Sequence, residues 1–176
     1  MRRLTLAVAA AMAIMAAAPS GASAATWNGD CDMSGTLFLN PNYTVVPSWH
    51  DYELKAGGTC TGTLDGAPYH GPGHVYVDGR MGKPMSCFLG FSNGVPGVLT
   101  FGSDPSALDA EQLDLIVDEG HVGPQLHFHF TGAYGGQAMG RLAFDVGQEE
   151  VEDCLGEGID QVPIQLQTQT IQPIYG

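Results

Sequence analysis

Hydrophobic and polar residues alternate most regularly between Gln125 and Val146. Leu126, Phe128 and Phe130 interleave with His127, His129 and Thr131. Beyond Gly135-Gly136, Leu142, Phe144 and Val146 interleave with Arg141, Ala143 and Asp145. Period two in aromatic and branched residues is the pattern of half-buried strands. The glycine pair accepts the positive φ that a hairpin turn needs. Loop length decides which residues meet. A two-residue Gly-Gly loop would set Phe130 against Arg141 and mix apolar with polar positions, because a one-residue slip exchanges the two faces. A three-residue loop, Tyr134-Gly135-Gly136, sets Phe128 against Leu142, Leu126 against Phe144, His129 against Arg141 and His127 against Ala143. The hairpin is expected in that register, with one face for the core and one face carrying two histidines.

Shorter runs of the same kind fill the rest of the chain. Asn28-Gly29-Asp30 reads as a turn after a first strand end. Residues 35–40 (GTLFLN) read as a strand closed by Pro41, 43–46 as a short run stopped by Pro47, and 51–56 as a strand ending at Gly57-Gly58. The strand over 59–64 runs into Asp65-Gly66, a strong turn signal. Residues 67–73, with Pro68 and Pro72, read as a loop, followed by strands over 74–78, 85–91, 98–101, 113–117 and 162–171. Asp104-Pro105 has the chemistry of a helix start and predicts a short helix over 105–112. Together these predict an all-β fold: a β-sandwich or irregular barrel of about ten short antiparallel strands with at most one short helix.

Composition adds location. Arg2-Arg3, the apolar run over 4–18, the Pro19-Ser20-Gly21 break and Ala22-Ser23-Ala24 make residues 1–24 a secretory signal peptide. The run is shorter than the roughly 20 residues of a membrane span. Residues 25–176 are then expected as a single all-β domain of a secreted or extracytoplasmic protein. Without the leader, four basic residues stand against 19 acidic ones, a net charge of −15. Such a surface repels nucleic acid and anionic membranes. Cys31, Cys60, Cys87 and Cys154 are an even count in an exported chain, which predicts two disulfides. Three pairings are possible. The similar contexts of Cys31 and Cys60, each leading into Ser/Thr-Gly-Thr-Leu, favour Cys31–Cys60 with Cys87–Cys154.

The order Cys31-Asp-Met-Ser-Gly-Thr-Leu, Gly58-Thr-Cys60-Thr-Gly-Thr-Leu-Asp-Gly, Ser86-Cys87, Thr131-Gly-Ala-Tyr-Gly-Gly and a late Cys154 resembles small exported β-rich actinobacterial proteins with four cysteines and no assigned function. The resemblance covers most of residues 25–176. Its motifs are cysteines and turn glycines, so it implies a scaffold and no activity.

Candidate chemistry is sparse. Gly90-Phe91-Ser92-Asn93-Gly94 has the GxSxG spelling, but that motif works only where a strand turns sharply into a helix, and another strand follows here. No catalytic constellation emerges, which points away from an enzyme. His127 and His129, two apart on one strand face, could converge on zinc or copper with His121, His70 or His74 as a third ligand. Two solvated surface histidines give the same spelling. The acidic run over 149–160 invites calcium but lacks EF-hand spacing. Trp27, Trp49, Tyr52 and Tyr69 suit a sugar-stacking face or a core equally. The functional expectation is a non-enzymatic extracellular binding or surface-associated module, with an extracellular ligand or cell-surface component as partner. The alternative is a metal-binding protein or metal-dependent enzyme built on His127 and His129.

Overall fold

The structure, a computed structural model, describes residues 25–80, 84–87, 89–107, 110–122, 125–144 and 148–176. The leader read at 1–24 lies outside them. The described residues form nine strands and one helix: β1 (Thr26–Tyr43), β2 (Asp51–Leu64), β3 (Ala67–Arg80), β4 (Leu89–Phe101), β5 (Glu111–Val122), β6 (Gln125–Gly132), β7 (Gln137–Phe144), α1 (Gln148–Leu155), β8 (Ile159–Gln172) and β9 (Ile174–Tyr175). Each strand from β1 to β8 pairs antiparallel with the next, and β8 pairs back onto β1. The sheet is therefore a closed eight-stranded barrel in simple up-and-down order, with β9 added beside the start of β1. Of the two predicted architectures it is the barrel. Closure leaves most strands with neighbours on both sides.

Alternation along each strand sends one residue set inward. Leu37, Leu54, Val77, Leu115 and Val117 are buried from the β1–β5 side, and Phe128, Phe130, Leu142, Ile164 and Leu166 from β6–β8. An eight-stranded barrel is just wide enough for side chains to fill it. Between Met33, Leu99, Phe130 and Ile174 the filling leaves a cavity of only about 20 Å³.

The strands are longer and fewer than predicted, because glycines and prolines that read as breaks lie inside them. Asn28-Gly29-Asp30 and Gly57-Gly58 sit mid-strand in β1 and β2. Gly29 stands directly opposite Gly62, and a Cβ on either would press against the other's backbone. At Gly58 a Cβ would collide with the Asp32 carbonyl oxygen. Glycine marks the places where the β1 and β2 backbones approach most closely. Residues 67–73, expected as a loop, are the first half of β3. They pair with β2, while β4 joins only from Gly73 onward. Pro68 and Pro72 fall on that one-sided stretch, where a missing N–H is tolerated. The Asp65-Gly66 turn is as the sequence predicts: Leu64 pairs with Ala67, and both turn residues have positive φ, 50° and 78°.

The helix lies elsewhere than expected. Asp104 accepts hydrogen bonds from the Ser106 backbone N–H (2.9 Å) and hydroxyl (2.6 Å), which closes a local turn. β5 then starts at Glu111, so Asp104-Pro105 opens a turn and not a helix. Of the predicted helix, residues 108 and 109 lie outside the described residues. The single helix is α1, within the acidic run. It ends where the Gly156 and Gly158 N–H groups both donate to the Asp153 carbonyl (3.0 and 2.7 Å).

The disulfides are Cys31–Cys60, joining directly opposed residues of β1 and β2, and Cys87–Cys154, tying α1 to the segment before β4. Restriction of the unfolded chain by each is worth about 3–4 kcal/mol. Among the described residues no helix is long and apolar enough to cross a membrane.

The β6–β7 hairpin keeps the predicted faces but shifts its register by two residues. Phe128 faces Gly140 and Phe130 faces Ala138, where Leu142 had been expected opposite Phe128. The loop is five residues, 132–136, not three. Its length follows from docking on β9: Tyr134 N–H donates to the Tyr175 carbonyl (3.0 Å) and Tyr175 N–H to the Gly135 carbonyl (2.9 Å). Packing explains the pairing. The Phe128 and Phe130 rings stack at 5.7 Å inside the barrel, and a Cβ at position 140 would reach Phe130 at 2.6 Å. Two large side chains on one strand meet the two smallest on the next.

Candidate functional site

The new register rearranges the histidine face. His127 stands opposite Arg141, and His129 opposite Met139 on one side and Asp118 on the other. The predicted pairs His129–Arg141 and His127–Ala143 do not form. His129 Nδ1 lies 3.9 Å from the Asp118 carboxylate, which also accepts the Gly94 N–H at 2.8 Å. His121 is opposite Leu126 on β5, and its side chain lies outside the described residues. His70 bonds the Thr61 hydroxyl at 2.8 Å, and His74 Nε2 donates to the Gly102 carbonyl at 3.2 Å. Both belong to the β3 side of the barrel. Among the described residues no group of three or more His, Cys, Asp or Glu is placed to hold a metal ion. The GxSxG segment continues as strand β4 through an irregularity between Ser92 and Val95, with no strand-to-helix elbow.

A larger concavity lies on the outer face of β2–β5. Lys55, Tyr76, Val98 and Asp114 stand in one row across these four strands, and Gly57, His74, Thr100 and Gln112 in the next. A cleft of about 600 Å³ runs between the two rows and the turn at 105–106, lined by Lys55, His74, Tyr76, Val98, Pro105 and Gln112. A second, of about 410 Å³, is lined by Tyr76, Asp78, Pro96, Val98, Asp114 and Ile116. Tyr76 and Val98 belong to both clefts, so Tyr76 forms the ridge between them. Volumes of this size are those of ligand sites.

Tyr76 is held in place. Its hydroxyl donates to Asp78 Oδ2 at 3.3 Å, with the neighbouring Glu53 carboxylate as an alternative acceptor for the same proton. Hydrogen bonding to Glu53 is the main reason its pKa is pushed up to about 12, with the nearby Asp78 charge adding to it. Lys55 Nζ is 2.6 Å from Glu53 Oε1 and sits 5.8 Å from the Tyr76 ring centre and 5.7 Å from that of Phe38. The Lys55 ammonium bonded to it holds the Glu53 carboxyl below its ordinary range. The ring is still 40% exposed. The loop at the rim is fixed too: Gly102 N–H reaches the Pro72 carbonyl (3.0 Å) and the Tyr69 hydroxyl (3.2 Å).

The aromatics that the sequence offered for stacking mostly went inside. Trp27 and Tyr52 are buried, and Tyr69 packs edge-on to Trp27 and Phe101 at 6.0 and 5.2 Å. Only Trp49 of that set is exposed, with the Arg80 guanidinium 6.0 Å from its ring. Tyr76 was missed although it sits in the alternating HVYVD run, where its place between inward Val75 and Val77 already turns it outward.

Sequence reasoning also missed a buried polar group at one end of the barrel. His50, 1% exposed, donates from Nδ1 to the Pro41 carbonyl (2.6 Å). Its Nε2 meets the Ser48 hydroxyl at 2.8 Å, and its ring packs edge-on with that of Tyr43, 4.3 Å between centres. These contacts pin the β1–β2 connection against Met85, whose backbone bridges Ser48 and whose sulfur accepts the Tyr43 hydroxyl at 3.5 Å. Burial pushes the Tyr43 phenol far above its ordinary range, and the Glu119 charge adds to this. Glu119 itself is buried, an inward position that the alternation of Leu113, Leu115 and Val117 already marks.

No family model matches the chain, no curated protein matches it, and no solved structure matches it.

Proposed function

We propose that this chain is an exported, non-enzymatic binding module whose ligand lies in the outer groove beside Tyr76. The observation that carries the reading is the pair of clefts sharing one exposed aromatic ring, tethered through its hydroxyl to Asp78. The leader at 1–24 and the two disulfides support export into an oxidising compartment, where the ligand would be an extracellular or cell-surface component. A rigid barrel presenting a fixed ring loses little conformational entropy when a ligand settles on it.

The test is retention of the purified protein on insoluble cell-envelope material. Tyr76→Ala is expected to lower affinity roughly tenfold or more, as loss of a central aromatic anchor does, with the melting temperature unchanged. His127→Ala, on a different face, is expected to bind like the parent. Equal retention of Tyr76→Ala and the parent would sink the groove reading. A zinc- or copper-dependent melting shift abolished by His127→Ala would favour the metal alternative in its place.

A further inference from the structure

Building on the groove reading, we infer that the ligand is an uncharged linear glycan lying across strands β2–β5, with one sugar ring stacked on Tyr76.

Three features of the groove argue for this chemistry. The first is direction. The row Lys55–Tyr76–Val98–Asp114 runs perpendicular to the strands, over about 14 Å at the usual inter-strand spacing. A ligand along it meets side chains and no free strand edge, so a peptide there would gain no main-chain ladder. A sugar needs none. Its apolar C–H face packs on an aromatic ring, and its hydroxyls take donors and acceptors at the sides.

The second is the lining. Tyr76, Val98, Pro96 and Pro105 supply flat apolar surface, while His74, Gln112 and Asp114 stand along it as hydrogen-bonding groups of both kinds. The third is charge. Glu53 and Asp78 flank the ring and Asp114 lines the same cleft, while Lys55 beside it is already bonded to Glu53 at 2.6 Å. On a chain whose residues beyond the leader carry a net −15, this rim repels an anionic polymer. The span exceeds a single sugar, and the groove continues on both sides of the Tyr76 ridge, so a chain fits better than a monosaccharide.

The experiment uses the protein without its leader on four insoluble neutral glycans, namely cellulose, chitin, a β-1,3-glucan and a mannan, with a pectate gel as the anionic counterpart. Retention on at least one neutral glycan is expected. It should be indifferent to salt, lost at least about tenfold in Tyr76→Ala and kept in Tyr76→Trp, which preserves a stacking face. Melting curves of each variant separate loss of binding from loss of fold. Retention on none of the four, or on pectate alone with strong salt dependence, overturns the glycan assignment. If envelope material still holds the protein through Tyr76 in that case, the groove reading stands and only the ligand class falls. Release by protease treatment of that material would then identify a protein partner. Loss of Tyr76-dependent retention everywhere would overturn both.

Discussion

Lys55 is held from three directions, by the Glu53 carboxylate and by the rings of Phe38 and Tyr76. The arrangement has a pH consequence that belongs to single residues. The Glu53 pKa lies below its ordinary 4.5 because its charged form is bonded to Lys55. A lowered pKa means the charged state is favoured in the folded protein. The interaction is complete above pH 4.5 and is lost as pH falls through the lower, folded value. Carboxyl NMR is expected to place the Glu53 midpoint below 4.5 and to move it upward in Lys55→Met. A midpoint at or above 4.5 in the parent would mean the pair does not form in solution. The group is exposed, so the effect should be visible in the groove and hardly at all in global stability. Such a triad was only half legible in the sequence. Alternation put Tyr76 on the outer face, but the cross-strand partners that fix its ring follow from the β2–β3 register.

At the scale of elements, register was the quantity the sequence reading got wrong: Phe128 faces Gly140 and not Leu142. Parity alone separates core from solvent faces, and it was right for Phe128, Phe130 and Leu142 in the β6–β7 hairpin. It does not distinguish a three-residue loop from a five-residue one, because both keep the same faces together. The choice is made by volume, with Phe128 and Phe130 opposite Gly140 and Ala138, and by the docking of the loop on β9. A side chain at position 140 should therefore be resisted. Gly140→Leu is expected to destabilise the fold by about 1–3 kcal/mol through overpacking against Phe130 and Leu166. Urea denaturation would read this as a lower midpoint at unchanged slope. A neutral substitution would mean the two phenylalanines can move aside. The same physics explains the strand boundaries. Glycines that usually punctuate a sequence here relieve contact between closely approaching strands, as at Gly29 and Gly62, and the turn at Asp104 borrowed the vocabulary of a helix start. The disulfide pairing was legible because repeated local context around Cys31 and Cys60 reflected their position opposite one another in β1 and β2.

For the whole molecule, closure determines what the outside can do. An interior filled by side chains, with about 20 Å³ left between Met33, Leu99, Phe130 and Ile174, turns the barrel wall into a rigid platform. Recognition then moves to the outer surface, where rows of side chains cross the strands. Closure also brings distant parts of the polypeptide together. Thr26 pairs with Tyr175 and Trp27 with Ile174, and the Gly176 N–H donates to the Ala25 carbonyl at 3.0 Å. Residues 25 and 176 are thus neighbours across a single hydrogen bond, while Asp65 and Gly66 form a tight turn on the surface. The fold can be written as a circle. A circular permutant that joins 176 to 25 through a short linker and opens between Asp65 and Gly66 would keep every strand pairing of the barrel. It is expected to fold and to melt within about 3 °C of the parent, the shift of roughly 1 kcal/mol in a domain of this size. A permutant that fails to fold would mean that the β2–β3 turn must form early, so that the order in which this ring of strands assembles is set by where the chain is cut.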